Sequence, residues 1–506
     1  MAKKSFTRRE FLKTSAWGTA ALTSHTLVGC STLDRYFMGD TRDLRQEVII
    51  LGAGAAGLTA AFELKKKKIP FRIFEASSRV GGRVQSTSVF AQGGLVAELG
   101  AEFFDDSHAQ LFKILKELNI PAKEVKASGK AEPHFFSFNK KVYRSRDIAA
   151  RLRSLEGPLQ RVRADLFRSQ QPVLNYKNSL QYERSLYYDS LSLQDLLDSW
   201  KTEVDPVILQ LIAVQASSRF GVEASAQSSL HFLSTVDAEG SSLLSARPLY
   251  RVEGGLSHLT QALALRVAGV IPDYVLKMNH ALTEISEDRE VFKLTFATPR
   301  GKETFTTRQV ICTLPFSALR QVRGISDLDF SSLKKENIAN QAYGTHSKGA
   351  AVFATPFWNS RRGQMPENWG NFTGNFLTEK MWDAGRGQSV SEGHGLLAFQ
   401  RSGDSGVKTG AEAVDEAQRD LQLFYSDVPT ADRSADIVAN WSQRKWAGGS
   451  MAVFKPGQYM RFKGAAGESE YQGRFLFAGE HTSLRFAGTL EGAVESGLKA
   501  ASEIQI

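Results

Sequence analysis

Glu47-Val48-Ile49-Ile50-Leu51-Gly52-Ala53-Gly54-Ala55-Ala56-Gly57, followed one helix-length later by Phe71-Arg72-Ile73-Phe74-Glu75, decides how this chain folds. Val48 to Leu51 reads as a buried strand that must turn sharply into a helix beginning near Ala55. Gly52 permits the tight turn, Gly54 and the neighbouring Ala56 let backbone approach a pyrophosphate, and Gly57 lets helix and strand pack closely. The N–H groups and positive end of that helix then face the phosphates. Lys65 to Lys68 stand at its C-terminal end, where cations are favoured, and Pro70 blocks continuation. Glu75, at the tip of the second strand, lies where an acid binds a ribose hydroxyl pair and disfavours a 2′-phosphate, so NADP is not expected. The competing reading is a Gly-rich turn arising by chance.

About four hundred residues later, Phe475-Leu476-Phe477-Ala478-Gly479-Glu480 and Gly488-Thr489-Leu490-Glu491-Gly492-Ala493 give a second glycine-rich region, read as a remote part of the chain returning to close over the same cofactor. Between the two lie Ser78-Arg79-Val80-Gly81-Gly82-Arg83, Glu98-Leu99-Gly100-Ala101-Glu102-Phe103, Arg251 to Gly255, Val310 to Pro315, Pro356-Phe357-Trp358 and Asn440-Trp441. In these segments, taken in order from about residue 46 to 505, the sequence resembles the flavin-containing amine oxidoreductases, a family that includes monoamine, polyamine and L-amino-acid oxidases. The resemblance implies FAD rather than NAD as the dinucleotide.

The expected fold class is α/β, with a discontinuous Rossmann-like FAD-binding domain and an inserted α+β substrate domain. The FAD domain is assigned to 46–122, 245–337 and 438–506, the substrate domain to 123–244 and 338–437. The pattern predicts helices at Ile148–Leu155, Leu193–Trp200, Val207–Ser217, Ala411–Phe424 and Glu491–Ile504, and strands at Val291–Phe296, Gly349–Phe353 and Phe475–Phe477.

The resemblance also assigns residues. Lys348, ten residues before Trp358, matches in spacing the lysine that holds a water near flavin N5, where it serves reoxidation or imine hydrolysis. A strand-end lysine reaching solvent is the competing reading. Trp441 matches an aromatic beside the flavin, with an ordinary core tryptophan as the alternative. Arg83 is placed near the pyrophosphate, Gly82 and Ala101 close to the ring, and the Ala281 backbone at the adenine. Gly479 and Glu480 are placed at the ribityl-pyrophosphate region, and Thr489 and the Leu490 N–H at the flavin N1–O2 edge. His346 and His481 are read as structural, and no spacing suggests a metal site. Met451 and Thr489 stand where monoamine oxidases carry two tyrosines, which disfavours a small arylalkyl amine as substrate. Ser450 stands where the family has a covalent flavin cysteine, so the FAD is expected to be noncovalent. No arginine matches the carboxylate clamp of amino-acid oxidases.

Residues 1–29 are set aside as a targeting segment. Thr7-Arg8-Arg9-Glu10-Phe11-Leu12-Lys13 resembles a twin-arginine export signal, and Leu27-Val28-Gly29-Cys30 a lipoprotein-processing site, with an incidental cysteine as the alternative. Lipidated Cys30 and a tether to about residue 45 would anchor an exported, periplasmic enzyme to a membrane. The formal charge is +9, of which residues 1–29 supply +4, and the mild remainder does not argue for nucleic acid. Cys30 and Cys312 are the only cysteines.

The reading is an FAD-dependent oxidoreductase of the amine oxidase type, passing hydride from a C–N bond to FAD with O2 as acceptor. Its rivals are a desaturase- or porphyrinogen-oxidase-like enzyme on an apolar substrate, and a non-enzymatic flavoprotein scaffold.

Overall fold

Five parallel strands form the central sheet, in the order Leu276–Lys277, Phe71–Phe74, Val48–Leu51, Gln309–Cys312, Phe475–Phe477. The three innermost strands are mostly apolar because helices and a β-layer cover both faces. Ile49 and Ile50, on opposite faces of one strand, are both fully buried, each contributing roughly 1.5–3 kcal/mol. On one face lie the helices Ala55–Lys66, Ser257–Ala268 and Leu490–Glu503, and on the other the meander Ala281–Asp288, Val291–Thr298 and Gly301–Thr307 with its phenylalanines. This is the mixed α/β architecture expected, with the sheet drawn from four remote stretches of chain. The structure, a computed structural model, describes residues 41–505 apart from 90–93, 127–130, 167–172, 238–239, 245–247, 270–271, 389–392 and 408–411. Both large sheets and their helices belong to one unit, Asp43–Ile506.

A second, seven-stranded sheet runs Asp432–Asn440, Ser347–Phe353, Gly395–Arg401, Lys380–Asp383, Phe372–Gly374, Phe135–Phe138, Lys141–Arg144. Its strands alternate by face. Ala350, Trp382 and Ala398 join Leu95 and Ala97 on one side, and Ala351, Met381, Leu397 and Phe399 pack on the other. Helices Ser145–Leu166, Leu193–Ser199 and Pro206–Phe220 form a separate apolar cluster, which Phe454, Tyr459, Met460 and Phe462 also join. Ser192 closes a capping box on the second of these helices, and Gly221, at φ +76°, ends the third in the left-handed region. Among the described residues no helix is long and apolar enough to cross a membrane. Cys30 and the export signal lie outside the described residues.

Candidate active site

Segments from both ends of the chain and its middle converge on one elongated cavity with roughly 1600 Å³ of empty space, part of it open to solvent. Gly52, Gly54, Ala56 and Glu75 line it from the first βαβ unit, with Gly82, Arg83 and Ala101 from the loops that follow. Gly479, Glu480, Thr489 and Leu490 line it from the C-terminal region, and Lys348, Trp441 and Met451 from between. The helices Ala55–Lys66 and Leu490–Glu503 both open their N-terminal ends on this space, giving two positive dipole ends for anionic groups. They are held together where Gly497 meets the Ala56 carbonyl, 2.4 Å from where a Cβ would stand.

Two predicted residues do not line the cavity. Gly57 works beneath it: a Cβ there would stand 2.1 Å from the Gly52 oxygen, so the turn closes only over glycine. Ala281 pairs with Ala297 at the start of the meander, while the preceding His280 donates its N–H to the Glu75 carbonyl at 2.8 Å. Asn279 likewise donates its N–H to the Ser77 carbonyl at 3.0 Å, so this segment runs beside Glu75 and Ser77, two residues of the cavity.

The Glu75 carboxylate is fixed by the Ala53 N–H at 2.8 Å, the Ser77 N–H at 2.9 Å and the Ser77 hydroxyl at 2.7 Å. A carboxylate has about four acceptor sites, so capacity for a ribose hydroxyl is left. Glu480 accepts its hydrogen bonds from within the protein. It accepts from Arg83 Nη1 at 2.6 Å, from the Ala452 N–H at 3.1 Å and from the Gly488 N–H at 2.9 Å. It therefore clamps three loops around the cavity. Arg83 in turn reaches the Ser450 carbonyl at 2.9 Å. Arg79 staples the turn below by donating to the carbonyls of Val80, Gly82 and Val84.

At the other end Lys348 is buried and paired with Glu102 at 2.5 Å, its ammonium 4.9 Å from the centre of the Trp382 ring. Trp382 Nε1 also donates to Glu102 at 3.1 Å, and Arg251 stands 3.9 Å away. Glu102 is the functional residue that sequence reasoning missed: it lies inside a quoted motif, but its partner is 246 residues distant. Trp441 donates Nε1 to the Leu99 carbonyl at 2.7 Å and lies against Gly100. A Cβ on Gly100 would stand 1.9 Å from the Arg83 oxygen. His346 donates Nε2–H to the Ser218 carbonyl at 3.0 Å and accepts at Nδ1 from the Ser450 hydroxyl at 2.6 Å. Burial holds it neutral, with its pKa pushed down to about 4. The Thr489 hydroxyl caps the Leu490–Glu503 helix, accepting from the Gly492 N–H at 3.1 Å, so it adds little to a substrate wall. His481 is buried against Phe316, away from the cavity, and burial drives its pKa well down.

The geometry fits a flavin dinucleotide: an acid for the ribose, glycine at the close approaches, and two helix N-termini at the phosphate and ring ends. The profile of the "Flavin containing amine oxidoreductase" family matches residues 55–505. The chain belongs to this family. It is 27% identical over 499 residues to the flavin-dependent L-tryptophan oxidase RebO of Lentzea aerocolonigenes, covering 91% of this chain and 98% of that one. It is 26% identical to an L-amino-acid oxidase of Mus musculus, covering 91% of this chain and 70% of that one. A putrescine oxidase bound to putrescine shares the fold at TM-score 0.73 and 17% identity over 91% of this chain and 99% of that one. Cyclohexylamine oxidase from Brevibacterium oxydans does so at 0.73 and 20%, over 90% and 98%.

This family member is an FAD-dependent oxidoreductase of the amine oxidase type, acting on a C–N bond. The two rival readings, on an apolar substrate or as a scaffold, are not favoured. Its FAD is noncovalent. The Ser450 hydroxyl, at the position of the family's covalent cysteine, is taken by His346. Cys312 is buried in the central sheet with its thiol pushed up to about 12, which leaves it unreactive.

Proposed function

We propose that the enzyme converts an amine to its imine, which water hydrolyses to a carbonyl compound and ammonia, with O2 taking the electrons as peroxide. The observation that carries this is the buried Lys348–Glu102 pair lining the same cavity as the two helix N-termini. When bound, FAD would supply the two-electron chemistry, taking hydride from the α-carbon of the amine and passing the electrons to O2. Lys348, held in one position by Glu102, orients a water at the reacting end. Trp441 and Met451 wall that end and limit solvent. The N-terminal end of Leu490–Glu503 stabilises negative charge that develops beside it.

The amine's companion group is where the relatives divide. Relatives similar in sequence include ones named for L-tryptophan, for L-amino acids and for monoamines, and solved structures alike in fold are named for putrescine and cyclohexylamine.

The test is to mix the yellow protein anaerobically with a panel of amines. Bleaching of the flavin absorbance is expected, and on admitting O2 the colour returns with peroxide. Lys348→Met should slow that return at least 10-fold while leaving the FAD bound. No bleaching by any amine would overturn the reading.

The twin-arginine segment and Cys30 support export of the folded, cofactor-loaded protein to the periplasmic side, held by a lipid on Cys30. Cys30→Ser is expected to move the enzyme from the membrane to the soluble periplasmic fraction. An unchanged distribution refutes the anchor.

A further inference from the structure

Among the described residues, Arg79, Arg83, Lys348, Arg444 and Lys445 are the cationic side chains that line the cavity. The first three are committed within the protein. Arg79 donates to the carbonyls of Val80, Gly82 and Val84, Arg83 to Glu480 and the Ser450 carbonyl, and Lys348 to Glu102. The charge of Arg83, which the family resemblance places at the pyrophosphate, is thus already balanced by Glu480. Arg444 is different. Among the described residues its half-buried guanidinium has neither an ion pair nor a hydrogen bond, only the Trp441 ring with its centre 5.4 Å away. Lys445 has only the ring of Trp446, at 4.5 Å, and both are exposed at the rim.

Residues 441–450 form a strap that holds Arg444 in place. The Gly449 N–H donates to the Trp441 carbonyl at 3.1 Å, and those of Ala447 and Gly448 to the Arg444 carbonyl at 2.9 Å. Gly448 and Gly449, at φ +57° and +145°, supply backbone conformations that glycine adopts at little cost. One foot of the strap is Trp441, fixed to the Leu99 carbonyl, and the other is Ser450, whose carbonyl receives Arg83. Between them the Ser317 hydroxyl donates to the Ala447 carbonyl at 2.8 Å. Ser317 follows Thr313-Leu314-Pro315, which line the cavity just beyond the strand Gln309–Cys312, and the Thr313 hydroxyl donates to the Leu51 carbonyl at 2.7 Å. The strap is therefore fastened above the carboxyl ends of the parallel strands, where a dinucleotide lies.

Arg444 stands between the two ends of the cavity. Its guanidinium lies by Trp441 on one side. On the other is Arg79, whose guanidinium is lowered by burial and then by the charge of Arg444. Arg79 braces Gly82, and the neighbouring Gly81 donates its N–H to the Ala53 carbonyl at 2.8 Å, within the phosphate turn. The acid beside them, Glu75, is held by Ala53 and Ser77. Like charges so placed repel unless an anion lies near both. The middle of a dinucleotide, between the ring end and the ribose acid, is its pyrophosphate.

We infer that Arg444 grips the FAD pyrophosphate from this strap, and that the strap sets how tightly the noncovalent cofactor is held. The role passes to Arg444 from Arg83, against what the resemblance implies, and it rests on the reading of the cavity as the FAD site. A guanidinium fork matches phosphate oxygens bidentately, which a lysine at the same place cannot do.

The test follows FAD release from the yellow holoenzyme on dilution, read as the rise of free-flavin fluorescence at several KCl concentrations. Arg444→Gln should release FAD about 10- to 100-fold faster than the parent, with a weaker dependence on salt. Arg444→Lys, which keeps the charge and loses the fork, should fall between them. Ser317→Ala unfastens the strap with every cavity charge in place, and should speed release about 2- to 10-fold. The flavin absorbance maximum should stay where it is in all three variants, because the phosphates do not absorb there. Equal release from the parent and Arg444→Gln overturns the grip while leaving FAD in the cavity. So does equal release from Arg444→Lys and Arg444→Gln, or a shifted maximum with release unchanged, which would put Arg444 at the ring. An unchanged rate in Ser317→Ala overturns the part given to the strap. A parent that purifies colourless and takes up no FAD overturns the reading of the cavity as well.

Discussion

Glu102 and Lys348 offer a quantitative test because they carry opposite charges at 2.5 Å, both nearly buried, and share a third member in Arg251 at 3.9 Å from Glu102. At an effective dielectric of about 20 the gross attractions are about 7 kcal/mol for Lys348 and about 4 kcal/mol for Arg251, before desolvation. Glu102→Gln removes the anion from both cations at once, and also weakens the acceptor that Trp382 uses at 3.1 Å. Leaving a buried charge unpaired costs about 3–5 kcal/mol. Lys348→Met leaves Glu102 with Arg251 and the indole, so it should cost less, about 1–3 kcal/mol by the same reasoning. The double variant should lose less than the sum of the two single losses, by a coupling of about 2 kcal/mol. The assay is urea unfolding at saturating FAD, followed by both flavin and tryptophan fluorescence. Lys348→Met costing as much as Glu102→Gln, or additive losses in the double variant, would refute the idea that one carboxylate neutralises this corner.

The geometry sets three further outcomes. Gly57→Ala and Gly100→Ala push a methyl against backbone oxygens at 2.1 and 1.9 Å; both should yield protein depleted of FAD, read as the absorbance ratio after purification. Acid precipitation should release all of the yellow colour into the supernatant, as expected of FAD with no bond to residue 450. His346 has a folded pKa of about 4 against an ordinary 6.5. The unfolded chain therefore takes the proton first, and stability falls as pH drops below 6.5, by about 3 kcal/mol at pH 4 from this residue. His134 acts in the same direction, and Glu379, raised to about 7, in the opposite one, losing stability as pH rises from 4.5 to 7. His346→Asn should flatten the acid limb between pH 6.5 and 4 in urea midpoints; an unaltered limb would show that His346 does not contribute.

The cofactor half of the site was legible because its signals are local. Strand, glycine turn, helix and second strand succeed each other between Val48 and Phe74, and each has its own periodicity. Phe475–Phe477 and Leu490–Glu503 lie where pattern put them. The strand carrying Lys348 begins two residues before the predicted Gly349. What pattern could not supply was pairing at a distance. Glu102 reads as one acid among apolar residues until Lys348 is folded onto it. Glu480 shows the same limit: its segment reads as lining the cavity, but no spacing reveals that its oxygens accept from Arg83, Ala452 and Gly488.

The meeting of Gly497 with the Ala56 carbonyl has a consequence in time. Residue 56 leaves the ribosome some 440 residues before its partner. Until then the phosphate turn has no lid, and the fifth strand of its sheet, Phe475–Phe477, comes only some twenty residues earlier. Prosthetic-group capture thus waits for the last stretch of synthesis, and a nascent chain cut short anywhere before the final helix would emerge colourless however well its first half had formed.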